Sequence, residues 1–205
     1  MFGPAFQARV RRLSMRLIRP IARSRISPNM LTVVGLLLNV LTAVVIGQGF
    51  LFAAGVLLLV AGGFDMADGA LARVKNAASE FGDFLDATLD RLAEASVGLG
   101  LLWHALAKQD DLQVGLIYAV VLGSVMISYA RARAEVLKLD CDVGLMARPE
   151  RIVILAVGLI LAQATREVAL TIILAVLCVS TYYTVAQRIV HVYRITKGTG
   201  QGAKS

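Results

Sequence analysis

The chain has 205 residues, 58% of them hydrophobic, and a net charge of +7; its mean hydropathy is +0.73. A soluble domain of this length is far less apolar, so the composition excludes an ordinary globular enzyme and points to a single integral membrane domain. The two cysteines, Cys141 and Cys178, make neither a disulfide framework nor a metal-binding spacing.

The chain opens with arginine and no acid: residues 1–64 contain no Asp or Glu, and seven arginines fall in the first 30. On a helix over residues 5–24, Phe6, Val10, Leu13, Leu17 and Ile21 share one face, and Arg9, Arg12, Arg16, Arg19 and Arg23 another. That pattern predicts an N-terminal amphipathic juxtamembrane helix, residues 1–26, lying on anionic membrane lipids. Basic side chains without interleaved aromatics, on an apolar chain, argue against nucleic acid as a partner. No short apolar stretch with a cleavage site follows the basic start, so no cleaved signal is expected. Pro20 kinks or ends this helix. Ser27 then caps a new one, with Pro28 in its first turn.

Six apolar stretches follow, over residues 28–46, 50–74, 84–106, 112–137, 150–163 and 168–192. They are separated by Gly47-Gln48-Gly49, by the polar break 108–111, by a loop over 140–149 and by a turn over 164–167. The expected fold is therefore an all-α integral membrane protein with six transmembrane helices over residues 27–195 and a polar tail over 196–205. Cys178 falls in an apolar run and is read as core. Trp103 and either Tyr182 or Tyr183 are candidate interfacial anchors. With six spans both termini lie on one side, where most Lys and Arg also cluster; the opposite turns carry only Lys108 and Arg166. The positive-inside rule puts that basic side in the cytoplasm and the protein in the cell (inner) membrane.

Residues 65–90 stand out within this pattern. Asp65 and Asp68 are three apart near the end of the second stretch, and Asp86 and Asp90 are four apart at the start of the third. On helices both spacings put the pair on one face. Four carboxylates meeting at a membrane edge cannot all stay ionised and unpaired. Divalent cations with a preference for oxygen, Mg²⁺ or Mn²⁺, resolve the conflict.

The whole stretch reads D-x-x-D-G-x-x-A-R, eight residues, then G-x-x-x-D-x-x-x-D, through Asp65, Asp68, Gly69, Ala72, Arg73, Gly82, Asp86 and Asp90. It resembles the signature of the CDP-alcohol phosphotransferases. The resemblance implies transfer of a phosphatidyl group from a CDP-linked lipid, CDP-diacylglycerol or a related one, to an alcohol, with release of CMP. It implies two metal ions held by Asp65, Asp68, Asp86 and Asp90, with Asp90 also the general base on the acceptor hydroxyl. Gly69 and Ala72, small and one turn apart, then admit the nucleotide, although small residues also serve close helix packing. Arg73 offers a fork of donors to phosphate oxygens. Pro28-Asn29 and Leu31-Thr32 look like the family's opening of the first span, which makes Asn29 and Thr32 pocket candidates, with ordinary capping the other reading. Asp83 occupies a position the signature leaves free and is read as a helix-start charge. A homodimer is implied by the family alone.

For the acceptor, the segments 128–135 and 148–151 look like those of bacterial phosphatidylinositol phosphate synthases, and with Gln187-Arg188 they make Arg131, Arg151 and Arg188 the expected holders of the inositol phosphate phosphate group. Arg131 stands where that subgroup often has lysine. Arg148 alone, read as a loop arginine near the surface, carries little weight, and a structural ion pair is the plain reading of Arg133 and Glu135. His104 and His191 receive no catalytic role. Glycerol 3-phosphate is the nearest alternative acceptor, and an archaetidyl donor lipid the nearest alternative donor. Outside this chemistry, the acids fit a divalent-cation carrier, or a non-catalytic membrane scaffold. A carrier, however, places its site at the membrane midplane, whereas these acids sit at helix ends.

Overall fold

A computed structural model describes residues 27–75 and 79–201, apart from the side chains of Ala72, Arg73 and residues 198–201. The proposed juxtamembrane helix and the last four residues lie outside that range. Within it the chain forms six α-helices: α1 (Pro28–Gly47), α2 (Leu51–Lys75), α3 (Glu80–Ala107), α4 (Asp111–Val136), α5 (Arg148–Ala162) and α6 (Val168–Gln201).

Their ends follow from local chemistry. The Ser27 side chain accepts a hydrogen bond from the Met30 N–H at 3.3 Å, with Pro28 in the first turn of α1. The turn into α2 contains Gly49 at φ +85°, a left-handed conformation that glycine adopts freely. Ser79 caps α3 through Gly82 N–H at 3.0 Å, and Asp110 caps α4 through Gln113 N–H at 2.9 Å. The α5–α6 turn passes through Arg166 and Glu167, both at positive φ.

Four of the helices are long and apolar enough to cross a membrane: α1, α2 up to Leu71, α4 and α6 up to Lys197. The other two differ for identifiable reasons. Helix α3 carries Glu80, Asp83, Asp86, Asp90 and Arg91 in its first half, with Glu94 just beyond. Helix α5 has 15 residues, so it reaches only about 22 Å at 1.5 Å per residue. Two boundaries also exceed the sequence expectation, because helical structure continues past the apolar stretch: α3 begins at Glu80, and α6 runs on to Gln201.

Each helix packs against two others, and the contacts close a ring in the order α1, α2, α5, α6, α4, α3. The core inside it is apolar, with Ile46, Leu58, Ala105, Leu159 and Leu174 among its most buried members. Buried hydroxyls are satisfied on their own helices: Thr42 donates to Leu38 C=O and Thr184 to Ser180 C=O, both at 2.8 Å. Small residues set the closest crossings. A Cβ on Gly100 of α3 would strike the backbone of Ala43 on α1, and one on Gly55 of α2 would lie 2.8 Å from the Ala156 carbonyl of α5. Trp103 is exposed on its outer face and covers Gly47 with its ring. Cys178 is half-buried rather than deep in the core, whereas Cys141 is fully buried.

At one end of the bundle, the end carrying the turns 48–50, 108–110 and 163–167, a polar clasp joins the helices. Glu167 accepts from Lys108 Nζ at 2.9 Å and meets His104 Nε2 at 3.2 Å, and Gln113 Nε2 donates to Thr171 Oγ1 at 3.1 Å. His104, which the sequence left without a role, is a buried partner in this clasp. Burial works against ionisation of Glu167, but the Lys108 hydrogen bond and the His104 ring outweigh it and hold the carboxyl below the usual glutamate range.

Candidate active site

The opposite end carries the acids. Asp65 and Asp68 project from the second half of α2, and Asp86 and Asp90 from the first half of α3. These two helices do not pack on each other; both pack on α1, which leaves a gap between them. Across that gap one carboxylate oxygen each of Asp65, Asp68 and Asp86 lies within 4.8 Å of the other two. Asp68 is only 4% exposed. One of its oxygens accepts the Gly69 N–H, while Asp68 Oδ2 and Asp86 Oδ1 are buried with no hydrogen-bond partner.

Two unpartnered carboxylate oxygens in a group of three acids are costly unless a cation joins them. An all-oxygen, all-anionic donor set suits a hard divalent ion such as Mg²⁺ or Mn²⁺. The residues present therefore fit the metal implied by the signature.

Asp90 stands apart from the group of three. Its Oδ1 lies 2.7 Å from Arg148 Nη1, which also meets Asp65 Oδ1 at 2.5 Å. Arg148 is the residue the sequence reading discounted. It is not a loop arginine but the first residue of α5, where Pro149 suits the helix start and Glu150 accepts from Ala147 N–H at 2.9 Å. Its side chain is 12% exposed, against 23% for Asp65 and 15% for Asp90. The Pro-Glu pair behind it was the available sign of a helix start, but its acidic partners lie far away in the chain.

Thr32 and Asn39 of α1 line a small recess with Asp65, Asp68 and Asp90. The Asn29 side chain lies beside Gly82, where a Cβ would come within 3.5 Å of its Oδ1 and 3.0 Å of the capping Ser79 Oγ. Glycine at this signature position thus lets the starts of α1 and α3 approach. Asp83 is exposed in the first turn of α3, as its reading as a helix-start charge requires. The side chains of Ala72 and Arg73 fall outside the described set.

The three arginines expected from the sequence to hold an acceptor phosphate, Arg131, Arg151 and Arg188, come from three helices and line one open cavity of about 1010 Å³ together with Asp86, Asp90 and Arg148. Arg151 on α5 is 7% exposed and donates to Glu94 Oε1 at 2.8 Å. Arg188 on α6 is fixed by two backbone carbonyls, Val143 at 3.0 Å and Ile127 at 2.6 Å. Arg131 on α4 is half-exposed and pairs with Glu135 at 2.9 Å and Asp142 at 3.1 Å. Glu135 is thus the partner of Arg131, four residues away on one face, and not of Arg133. Glu94 was missed altogether: it follows Asp90 by four residues and Arg91 by three, on the same helix face, but the signature ends at Asp90.

A ring of apolar helices with clustered acids at one end and a basic cavity beside them defines a membrane-type protein built to hold divalent cations next to a phosphate-bearing ligand. The chain belongs to the CDP-alcohol phosphatidyltransferase family, whose model matches residues 25–192. It is 36% identical over 180 residues to the phosphatidylinositol phosphate synthase of Mycobacteroides abscessus, covering 86% of this chain and 81% of that one. It is 33% identical to the archaetidylinositol phosphate synthase of Methanothermobacter thermautotrophicus, covering 89% and 91%. Crystal structures of the Mycobacterium tuberculosis phosphatidylinositol phosphate synthase superpose with a TM-score of 0.78 for the form with CDP-DAG bound, at 33% identity and covering 87% of this chain and 92% of that one. The form with manganese and citrate superposes at 0.79, with 32% identity and 88% of each chain covered.

Proposed function

We propose that this protein is a phosphatidylinositol phosphate synthase: it transfers the phosphatidyl group of CDP-diacylglycerol to inositol phosphate and releases CMP. The observation that carries this reading is the single cavity in which Asp86 and Asp90 share a wall with Arg131, Arg151 and Arg188. The acids serve the diphosphate and the reacting hydroxyl, and the arginines serve a second phosphate.

Asp65, Asp68 and Asp86, with Asp90 as the fourth carboxylate, are the residues assigned to hold divalent metal, two Mg²⁺ or Mn²⁺ ions. Bound metal would neutralise the diphosphate and stabilise charge on the leaving CMP. The protein's own groups do the rest. Arg131, Arg151 and Arg188 grip the acceptor phosphate from three directions and aim the inositol hydroxyl. Asp90 takes the proton of that hydroxyl as its oxygen bonds to the phosphorus that bears the diacylglycerol. The phosphoanhydride bond breaks and CMP departs. Asn29, Thr32, Gly69, Ala72 and Arg73 are assigned to the CDP moiety.

The same reading places all six helices across the cell membrane. The acidic first half of α3 then faces the aqueous cavity, and the short α5 is completed by its packing between α2 and α6. Arginine and lysine cluster at the acidic end, which supports a cytoplasmic active site. A homodimer and the N-terminal amphipathic helix belong to this proposal as well.

The test is CMP release by purified protein with Mg²⁺, with product lipid identified by mass. Inositol phosphate and glycerol 3-phosphate are compared as acceptors, and diacyl and archaetidyl CDP-lipids as donors. Inositol phosphate is expected to be used and EDTA to abolish turnover. Product from glycerol 3-phosphate alone would replace the acceptor assignment. Cation flux into liposomes without CMP release would favour a carrier.

A further inference from the structure

Glu94 is an unassigned acid with three cationic neighbours. Its oxygens lie 2.8 Å from Arg151 Nη2, 3.0 Å from Arg91 Nη1 and 3.5 Å from Arg148 Nε. The side chain is 18% exposed. All three arginines line the open acceptor cavity, but Glu94 does not. It lines instead, together with Arg148 and Arg151, a second cavity of about 70 Å³ bounded mainly by apolar side chains, Val97, Leu101, Leu155 and Leu174 among them. Glu94 therefore stands behind the arginines, between the apolar interior and the basic pocket.

We propose that Glu94 is the positioning residue of the acceptor pocket, and that Arg91 is a further cation of that pocket. The inference rests on the acceptor reading above. Three guanidiniums on neighbouring wall positions repel one another and would spread toward solvent. One carboxylate behind them draws them together, and a fork that spends one edge on Glu94 keeps its other donors for the ligand. Arg151 is the clearest case: at 7% side-chain exposure it has little freedom, and Glu94 is its one carboxylate partner among the described residues. Arg91, 31% exposed, leans on Glu94 at 3.0 Å and on Asp90 at 4.0 Å, so it sits between the proposed base and the acceptor arginines. A phosphorylated polyol is the ligand class this arrangement suits: a dianionic phosphate for the forks, and a hydroxyl within reach of Asp90.

The experiment uses full-length parent protein, Glu94→Gln and Glu94→Asp in detergent with CDP-diacylglycerol and Mg²⁺, and titrates inositol phosphate and the donor separately. Glu94→Gln is expected to raise the KM for inositol phosphate about 10–100-fold, the equivalent of one lost charged hydrogen bond. The donor KM is expected to stay within about twofold, because no group assigned to the donor is touched; a smaller fall in kcat accompanies the change, since Glu94 also meets Arg148, the partner of Asp90. Glu94→Asp, which keeps the charge on a shorter stem, should fall between Gln and parent. If Glu94→Gln does not fold, the Asp variant carries the test, with a rise of about threefold or more in the acceptor KM alone. Unchanged KM values, a fall confined to kcat, or equal rises in both KM values would overturn the proposal. A parent that uses glycerol 3-phosphate instead would correct the acceptor's identity, and the same selective rise would then be expected in the KM for glycerol 3-phosphate. A parent that uses no phosphorylated acceptor would overturn both readings.

Discussion

Arg148 is one cation among three acids, with Asp65 at 2.5 Å, Asp90 at 2.7 Å and Glu94 at 3.5 Å. Removing it would leave these carboxylates facing one another in a poorly hydrated place. Breaking a buried pair from one side costs about 3–5 kcal/mol, and the residual exposure here favours the lower end. At 2–4 °C per kcal/mol for a chain of this size, Arg148→Ala is expected to lower the thermal midpoint in detergent by about 6–12 °C. Arg148→Lys keeps the charge but loses the fork that spans Asp65 and Asp90, so it should recover most of the midpoint and only part of the CMP-release rate. A midpoint unchanged in Arg148→Ala would show that the bridge does not hold these residues together. The four aspartates were legible because three- and four-residue spacings fix a helix face whatever the rest of the fold does. The pairing of Arg148 with Asp65 and that of Glu94 with Arg151 were not, since they join residues 83 and 57 apart in the chain; only the contact of Glu94 with Arg91, three residues away, follows a local spacing.

Among the described residues, hydropathy marked all six helices and the turns between them, but fell short at the start of α3 and by nine residues at the end of α6. The misses share one cause. An apolar window tracks the hydrocarbon, but a helix ends where its backbone bonds and caps end. That is why α3 starts with the Ser79 cap ahead of its apolar part and α6 continues beyond it. How closely two helices approach was equally hidden in composition. Gly100 offers the sharpest check, since a Cβ there would overlap the Ala43 backbone. Backbone cannot move aside as a flexible side chain can, so Gly100→Ala is expected to cost about 1–3 kcal/mol of overpacking. Gly115, whose added Cβ would meet nothing within 4 Å, is the control: Gly115→Ala should leave the midpoint unchanged or raised. Thermal unfolding of both variants side by side reads the difference, and an unaffected Gly100→Ala would mean that α1 and α3 are not this close.

Across the whole molecule the ring of helices has two chemically different ends, acids and arginines at one and the Glu167 clasp at the other. Because the Glu167 carboxyl is held below the usual glutamate range, its contribution is complete above that range. It is lost as pH falls below that range and through the lowered value. Parent protein should therefore lose thermal stability on acidification more steeply than Glu167→Gln, which lacks the titrating group. Parallel curves would remove Glu167 as a pH-dependent tie. Cluster chemistry, family and the six helices of the described residues were all determined by residue order, because helical spacing, apolar length and signature offsets act over short stretches of chain. The gap between α2 and α3, the bridge of Arg148 and the stance of Glu94 behind three arginines were decided only when the ring closed, because α1 keeps the two acid-bearing helices apart while α5 returns its arginines to them from the far half of the chain.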